Sequence, residues 1–204
     1  MKKWLYLIAD FSYGEEKLRE ALQAGVDYIQ LREKEISSAE YLFRAKKLRE
    51  MTAEYGTKLI INDRIDIALL SHADGVHLGQ SDVPVQEARM LLGEKLIIGA
   101  TAKTPKQAET AMQSGADYIG SGAWFETRTK KDALPITVET YMAIKKAAPI
   151  PNVAVGGITL ENAGIPMKCG ADGLAVSAGI LAAESVTEQI KKFHSLLNNW
   201  EDKE

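Results

Sequence analysis

The sequence predicts a closed (β/α)8 barrel (a TIM barrel), built as a single domain over residues 1–204. Three observations predict it. Short apolar runs alternate strictly with helix-patterned stretches, which implies parallel strands joined by crossover helices. There are eight such runs, enough to close a barrel, and an open doubly wound sheet is the weaker alternative. A weak repeat also punctuates the chain. Ala24-Gly25-Val26-Asp27-Tyr28-Ile29 recurs as His72-Ala73-Asp74-Gly75-Val76, as Ser114-Gly115-Ala116-Asp117-Tyr118-Ile119, and as Cys169-Gly170-Ala171-Asp172-Gly173-Leu174. Each copy ends a helical stretch and opens a strand, and Gly suits the left-handed residue that closes a helix.

The first strand is the run Trp4-Leu5-Tyr6-Leu7-Ile8. It follows a basic start, but it is too short for a signal peptide and Asp10 interrupts it. A helix over 15–23 follows, with Leu18, Ala21 and Leu22 on one side. Asp27-Tyr28-Ile29 opens the second strand. A helix over 38–54 comes next, with Ser37 or Ser38 as its cap. The remaining strands centre on Lys58-Leu59-Ile60-Ile61, Gly75-Val76, Leu96-Ile97-Ile98-Gly99, Tyr118-Ile119, Asn152-Val153-Ala154-Val155 and Gly173-Leu174. Helices are expected over 63–70, 84–92, 105–113, 138–146, 160–167 and 185–197. Pro84 and Pro105 fit a first helical turn. The polar tail 198–204 is expected to fray.

Bulk composition narrows the function. Hydrophobic residues make up 46% of the chain, enough for a real core, and the net charge is -3 with a pI of about 5.7. No Lys/Arg block stands out, so a nucleic-acid partner is not expected. No run approaches the ~20 apolar residues of a membrane span, so no membrane partner is expected either. An anion would have to be held by a local cluster. The one cysteine, Cys169, excludes an internal disulfide and fits a reducing cytoplasm, where it reads as a small apolar residue at a helix end. A homo-oligomer is compatible with the sequence but not specified by it.

In a barrel of this kind the chemistry sits where strands end and helices begin. After the second strand comes Gln30-Leu31-Arg32-Glu33-Lys34. Side chains on a strand alternate between faces. Ile29, Leu31 and Glu33 therefore point one way, and Gln30, Arg32 and Lys34 the other. An amide, a guanidinium and an ammonium in a row suit a multiply charged anion such as diphosphate. Asp63 and Asp82 follow the neighbouring third and fourth strands. Hard oxygen ligands on adjacent loops suit Mg2+, though each Asp could instead serve as a helix cap. Gly156-Gly157 after the seventh strand and Ser177 to Gly179 after the eighth read as a monophosphate site built on backbone N–H groups. Thr127, Thr129, Lys130 and Lys131, on the longest connection, read as a lid over phosphate. His77 could be an acid, a base or a buried structural residue. Trp124 and Phe125 could wall a flat heterocycle or simply pack.

These residues resemble the thiamine phosphate synthase family over essentially the whole chain. The resemblance rests on Gln30-Leu31-Arg32-Glu33-Lys34, Ile61-Asn62-Asp63-Arg64, His77-Leu78-Gly79-Gln80-Ser81-Asp82, Thr127-Arg128-Thr129-Lys130-Lys131-Asp132 and Val155-Gly156-Gly157-Ile158. It implies a Mg2+-dependent transferase. Such an enzyme couples 4-amino-2-methyl-5-(diphosphooxymethyl)pyrimidine with thiazole ethyl phosphate, giving thiamine phosphate and diphosphate by dissociative substitution. The same resemblance implies that Gln30, Arg32, Lys34, Asn62 and Lys130 hold the pyrimidine diphosphate and that Asp63 and Asp82 hold Mg2+. Thr101 stands where the family has a Ser, near the pyrimidine. Thr127 and Thr129 would contact the thiazole or phosphate side, and Gly157 with the Val176-Ser177 backbone would bind the thiazole phosphate. Arg32, Lys34, Thr101 and Lys130 are the expected catalytic residues.

The strand-6 loop departs from the family's Pro-rich start and reads Gly122-Ala123-Trp124-Phe125-Glu126-Thr127. Its Phe-Glu-Thr resembles the related thiazole tautomerases, which carry a His where Ala123 stands. The intact Gln-Arg-Lys and Asn-Asp sets favour the synthase. The alternatives are a thiazole tautomerase and a non-catalytic thiazole-phosphate-binding barrel.

Overall fold

The computed structural model describes residues 2–126 and 135–200. Eight parallel strands close into a barrel in the order of the chain: β1 Trp4–Ala9, β2 Tyr28–Leu31, β3 Lys58–Asn62, β4 Gly75–Leu78, β5 Ile97–Thr101, β6 Tyr118–Ser121, β7 Asn152–Val155 and β8 Gly173–Val176, with β8 pairing back onto β1. The helices are α1 Glu15–Gln23, α2 Ser38–Tyr55, α3 Ile65–Leu70, α4 Val85–Leu92, α5 Pro105–Gln113, α6 Val138–Ala147, α7 Gly164–Lys168, α8 Ala178–Leu181 and α9 Val186–Asn198. No helix among the described residues is long and apolar enough to cross a membrane.

Strand alternation divides the core in two. Leu5, Leu7, Ile29, Leu31, Leu59, Ile61, Val76, Ile98 and Leu174 point outward into an apolar layer shared with the helices. Tyr6, Ile60, Tyr118, Val153 and Ala175 fill the barrel interior. Most of these side chains are fully buried, and deleting one such Leu or Ile costs ~2–5 kcal/mol.

The repeated Asp is a clamp at the closed end of the barrel. Asp27, Asp74, Asp117 and Asp172 each precede an even-numbered strand. Each accepts a hydrogen bond from the backbone N–H of the preceding odd-numbered strand: Leu5 at 2.9 Å, Leu59 at 2.9 Å, Ile98 at 2.7 Å and Asn152 at 2.8 Å. Each also pairs with a cation: Lys2 with Asp27, Arg49 and Lys58 with Asp74, Arg89 with Asp117, and Lys145 with Asp172. The left-handed residue two places earlier is Gly25, Gly115 and Gly170 in three copies and His72, at φ 54°, in the fourth.

Several expected elements are corrected. The third helix starts at Ile65, not at 63, because Asp63 sits at φ 64° and breaks out of the helical path. Pro84 lies just outside α4 with an extended ψ of 145°, so of these two prolines Pro105 alone occupies a first turn. The helix expected over 160–167 is shorter, Gly164–Lys168. A 3-10 turn at Phe11–Tyr13 and the short α8 were not anticipated, since each is too short to show periodicity. Ser37 is the cap of α2, accepting from the Glu40 N–H.

Candidate active site

The ends of the strands open onto a cavity of about 840 Å3. Gln30, Arg32 and Lys34 line it together, while Glu33 turns away. Glu33 accepts a 3.0 Å hydrogen bond from the Phe11 N–H and pairs with Arg44 at 3.1 Å. The predicted alternation of this stretch therefore holds, and the outward Glu33 anchors it to α2. A second anchor is Tyr41 on α2. Its hydroxyl reaches the carbonyl oxygens of Leu31 at 2.8 Å and Asn62 at 3.1 Å, tying down the ends of β2 and β3 where Arg32 and Asp63 emerge. Sequence reasoning missed Tyr41, because it sits among the apolar residues of an amphipathic helix.

Asn62, Asp63 and Asp82 line the same cavity. Neither Asp is a helix cap: Arg64 occupies that place for α3 and Pro84 for α4. Lys34 Nζ lies 2.8 Å from Asp63 Oδ2. Asp82 accepts a 2.6 Å bond from the Gly79 N–H, and a Cβ on Gly79 would stand 2.8 Å from that carboxylate. Burial raises the Asp63 carboxyl, but hydrogen bonds from Lys34 and Asp82, with the charges of Lys34 and Arg32, outweigh it and hold the group below its ordinary range. Burial and the adjoining Asp63 push Asp82 above that range. Two adjoining, partly buried carboxyls are the kind of oxygen donors that a divalent cation can bridge and neutralise. The described residues hold no cluster of three or more His, Cys, Asp or Glu around one point. Mg2+ does not need one, since it takes one or two carboxylates and leaves its other positions to water and phosphate. The donor set fits Mg2+.

On the far side Gly156, Gly157, Ser177, Ala178 and Gly179 line the cavity. Gly157 sits at φ 65°, and a Cβ there would stand 2.4 Å from the Glu126 carbonyl, so the loops after β6 and β7 meet only because it is Gly. The Val176 side chain is buried in the outer apolar layer, which leaves its backbone, the part expected to contact a ligand, on the side of the strand end. Trp124 is also buried, 4.7 Å from the Tyr141 ring between centroids, and packs rather than walls the cavity, whereas Ala123 and Glu126 do line it. Thr127, Thr129 and Lys130 lie outside the described residues. Cys169 ends α7 at intermediate burial, which raises its thiol.

Thr101, at the end of β5, lines the cavity and meets His77 Nε2 at 3.0 Å. His77 Nδ1 lies 3.0 Å from the Tyr118 hydroxyl, which lies 2.8 Å from the Tyr6 hydroxyl, which in turn receives Gln30 Nε2 at 2.9 Å. Tyr6 and Tyr118 read in the sequence only as strand aromatics. Their hydroxyls gain meaning from a closed barrel that brings β1, β2, β4, β5 and β6 around one interior.

Fold and cavity together define a β/α-barrel protein with a cation-rich, doubly acidic mouth. Comparison with known proteins makes this specific. A sequence profile described as Thiamine monophosphate synthase matches residues 5–180. A thiamine-phosphate synthase of Clostridioides difficile is 44% identical over 195 residues, 93% of this chain and 92% of that one. One from Methanobrevibacter smithii is 46% identical over 185 residues, 89% and 88% of the two chains. Among solved structures, a thiamine phosphate pyrophosphorylase from Pyrococcus furiosus superposes with a TM-score of 0.87 at 37% identity, covering 96% of this chain and 95% of that one. A 3-hexulose-6-phosphate synthase shares the fold alone, at a TM-score of 0.70 and 16% identity. The chain belongs to the thiamine monophosphate synthase family. It is an enzyme of the transferase class acting on small molecules.

Proposed function

We propose that the protein couples 4-amino-2-methyl-5-(diphosphooxymethyl)pyrimidine with thiazole ethyl phosphate, releasing diphosphate and forming thiamine phosphate. The observation that carries the reading is the convergence of Gln30, Arg32, Lys34, Asn62, Asp63 and Asp82, from three strand ends, on one cavity. The names of relatives 44% and 46% identical over most of the chain support it.

In this reading Arg32 and Lys34 hold the diphosphate, the first as a bidentate fork and the second as a point charge. Lys130 would join them. Their charges neutralise what develops on the leaving group, so the C–O bond can ionise before attack. The pyrimidine amino group stabilises the resulting methylene cation, and the thiazole nitrogen captures it. Asp63 and Asp82 would hold Mg2+, which when bound supplies further charge neutralisation at the diphosphate. Asn62 and Gln30 orient the pyrimidine diphosphate, and Thr101 offers its hydroxyl near the ring. Gly157, Ser177 and the Val176 backbone take the thiazole phosphate, and the family resemblance would add Thr127 and Thr129. No protein nucleophile is required. A tautomerase would need a proton carrier where the cavity wall presents the methyl group of Ala123.

The test is to incubate the protein with both substrates and Mg2+ and to assay both products. Stoichiometric diphosphate and thiamine phosphate are expected. Binding of thiazole phosphate without diphosphate release would overturn the proposal in favour of a non-catalytic barrel.

A further inference from the structure

The row of hydrogen bonds beneath the cavity crosses the whole barrel, from Gln30 on β2 to Thr101 on β5. Tyr6 and Tyr118 are each 2% exposed, and burial pushes both phenols well above their ordinary range, so both keep their protons. A buried O–H needs an acceptor, because leaving it unpaired costs ~1–3 kcal/mol. This requirement sets a direction. Gln30 presents Nε2, a pure donor, to the Tyr6 oxygen. With that lone pair engaged, the Tyr6 proton goes to the Tyr118 oxygen, 2.8 Å away. The Tyr118 proton then goes to His77 Nδ1, at 3.0 Å. His77 takes that bond as an acceptor, so a neutral ring carries its proton on Nε2 and donates it to Thr101 Oγ1, at 3.0 Å. The hydroxyl proton of Thr101 is then left for a ligand.

We propose that Gln30, Tyr6, Tyr118, His77 and Thr101 form one directed chain of hydrogen bonds that fixes what the cavity floor presents: the Gln30 carbonyl oxygen as an acceptor and the Thr101 hydroxyl as a donor. Tyr6, Tyr118 and His77 are positioning residues in this arrangement. The ligand it selects offers a donor to the Gln30 carbonyl and an acceptor to the Thr101 hydroxyl, as an aminopyrimidine can through its amino group and a ring nitrogen. That identification of the ligand rests on the proposed function; the direction of the chain does not. Space for the chain is also built into the strands. A Cβ on Gly99 would stand 2.1 Å from Tyr118 Cζ, and one on Gly120 would stand 3.0 Å from His77 Cε1, so both rings depend on glycine beside them.

The test is a long-range proton–nitrogen correlation spectrum of the ligand-free protein, labelled with 15N. The chain has three histidines, so comparison with His72→Asn and His194→Asn variants assigns the rings. The expected spectrum shows neutral His77 with its proton on Nε2 and a bare, hydrogen-bonded Nδ1. A proton on Nδ1 would mean that the chain runs the other way and would overturn the proposal, as would an imidazolium at neutral pH. In Tyr118→Phe the Nδ1 resonance should shift as its hydrogen bond is lost, and in Tyr6→Phe it should stay near its original position. An unshifted Nδ1 in Tyr118→Phe would also overturn the proposal. Should Tyr118→Phe not fold, the wild-type spectrum still decides the direction. Tyr118→Phe should also bind the pyrimidine diphosphate roughly fivefold more weakly, with thiazole phosphate affinity unchanged. Absence of product from the wild type together with the expected spectrum would count against the function alone.

Discussion

Gly99→Ala is a one-methyl change that the structure predicts to be severe. Its new Cβ would lie 2.1 Å from Cζ and 2.3 Å from Oη of Tyr118. Ordinary carbon contacts are ~3.5–4.0 Å, so the ring would have to retreat by about 1.5 Å. It has nowhere easy to go. Its centroid lies 5.9 Å from that of Tyr6, 5.5 Å from His77 and 6.4 Å from Trp4, and the residue is 2% exposed. Overpacking of this kind costs ~1–3 kcal/mol. The shift also breaks the bonds to Tyr6 and His77, each worth ~0.5–1.5 kcal/mol net. The total is about 4 kcal/mol, a drop of roughly 8–16 °C in melting temperature for a chain of this size. Thermal unfolding followed by circular dichroism measures it. Gly164→Ala is the control, since its Cβ would meet only the Trp200 ring at 3.8 Å; a change within ~0.5 kcal/mol is expected there. Equal melting temperatures for the two variants would refute the account of how the barrel interior is packed.

Asp63→Asn should abolish turnover while the far-ultraviolet spectrum and melting temperature stay close to wild type, because Asn tolerates the left-handed backbone at this position and the residue stands at the rim and not in the core. Tyr41→Phe should cost ~1 kcal/mol in urea unfolding and raise the KM for the pyrimidine diphosphate, since it releases the ends of β2 and β3. Asp74→Ala should cost ~2–3 kcal/mol at neutral pH through loss of charge-assisted bonds to the Leu59 N–H, Lys58 and Arg49. Burial raises that carboxyl, but these partners outweigh it and hold it below its ordinary range. Its contribution is therefore present above the ordinary carboxylate range and lost as pH falls through the depressed folded value, so the gap between wild type and variant should close at acid pH below that range.

Much of this was legible in the sequence for physical reasons. The apolar runs and the repeated Asp marked eight strands because a parallel barrel buries both faces of each strand and must close its lower end. The alternation of Gln30, Arg32 and Lys34 against Glu33 followed from strand geometry alone. What the sequence hid depends on closure. Tyr6, His77 and Tyr118 are 71 and 41 residues apart in turn along the chain, yet their polar atoms meet in one interior. Tyr41 looked like a core residue and is a clasp on two strand ends. Asp63 looked helical because periodicity cannot see a single left-handed residue. Strand alternation turns the Val176 side chain outward, in keeping with a role assigned to its backbone alone.

In the proposed function, residues from separate strand ends make one site for a magnesium-bound diphosphate. Calorimetric titration of diphosphate into the wild type with Mg2+, into the wild type without it, and into Asp82→Ala with it decides whether they do. Saturable binding is predicted in the first case and at least ~10-fold weaker binding in the other two. The same affinity in all three would contradict it.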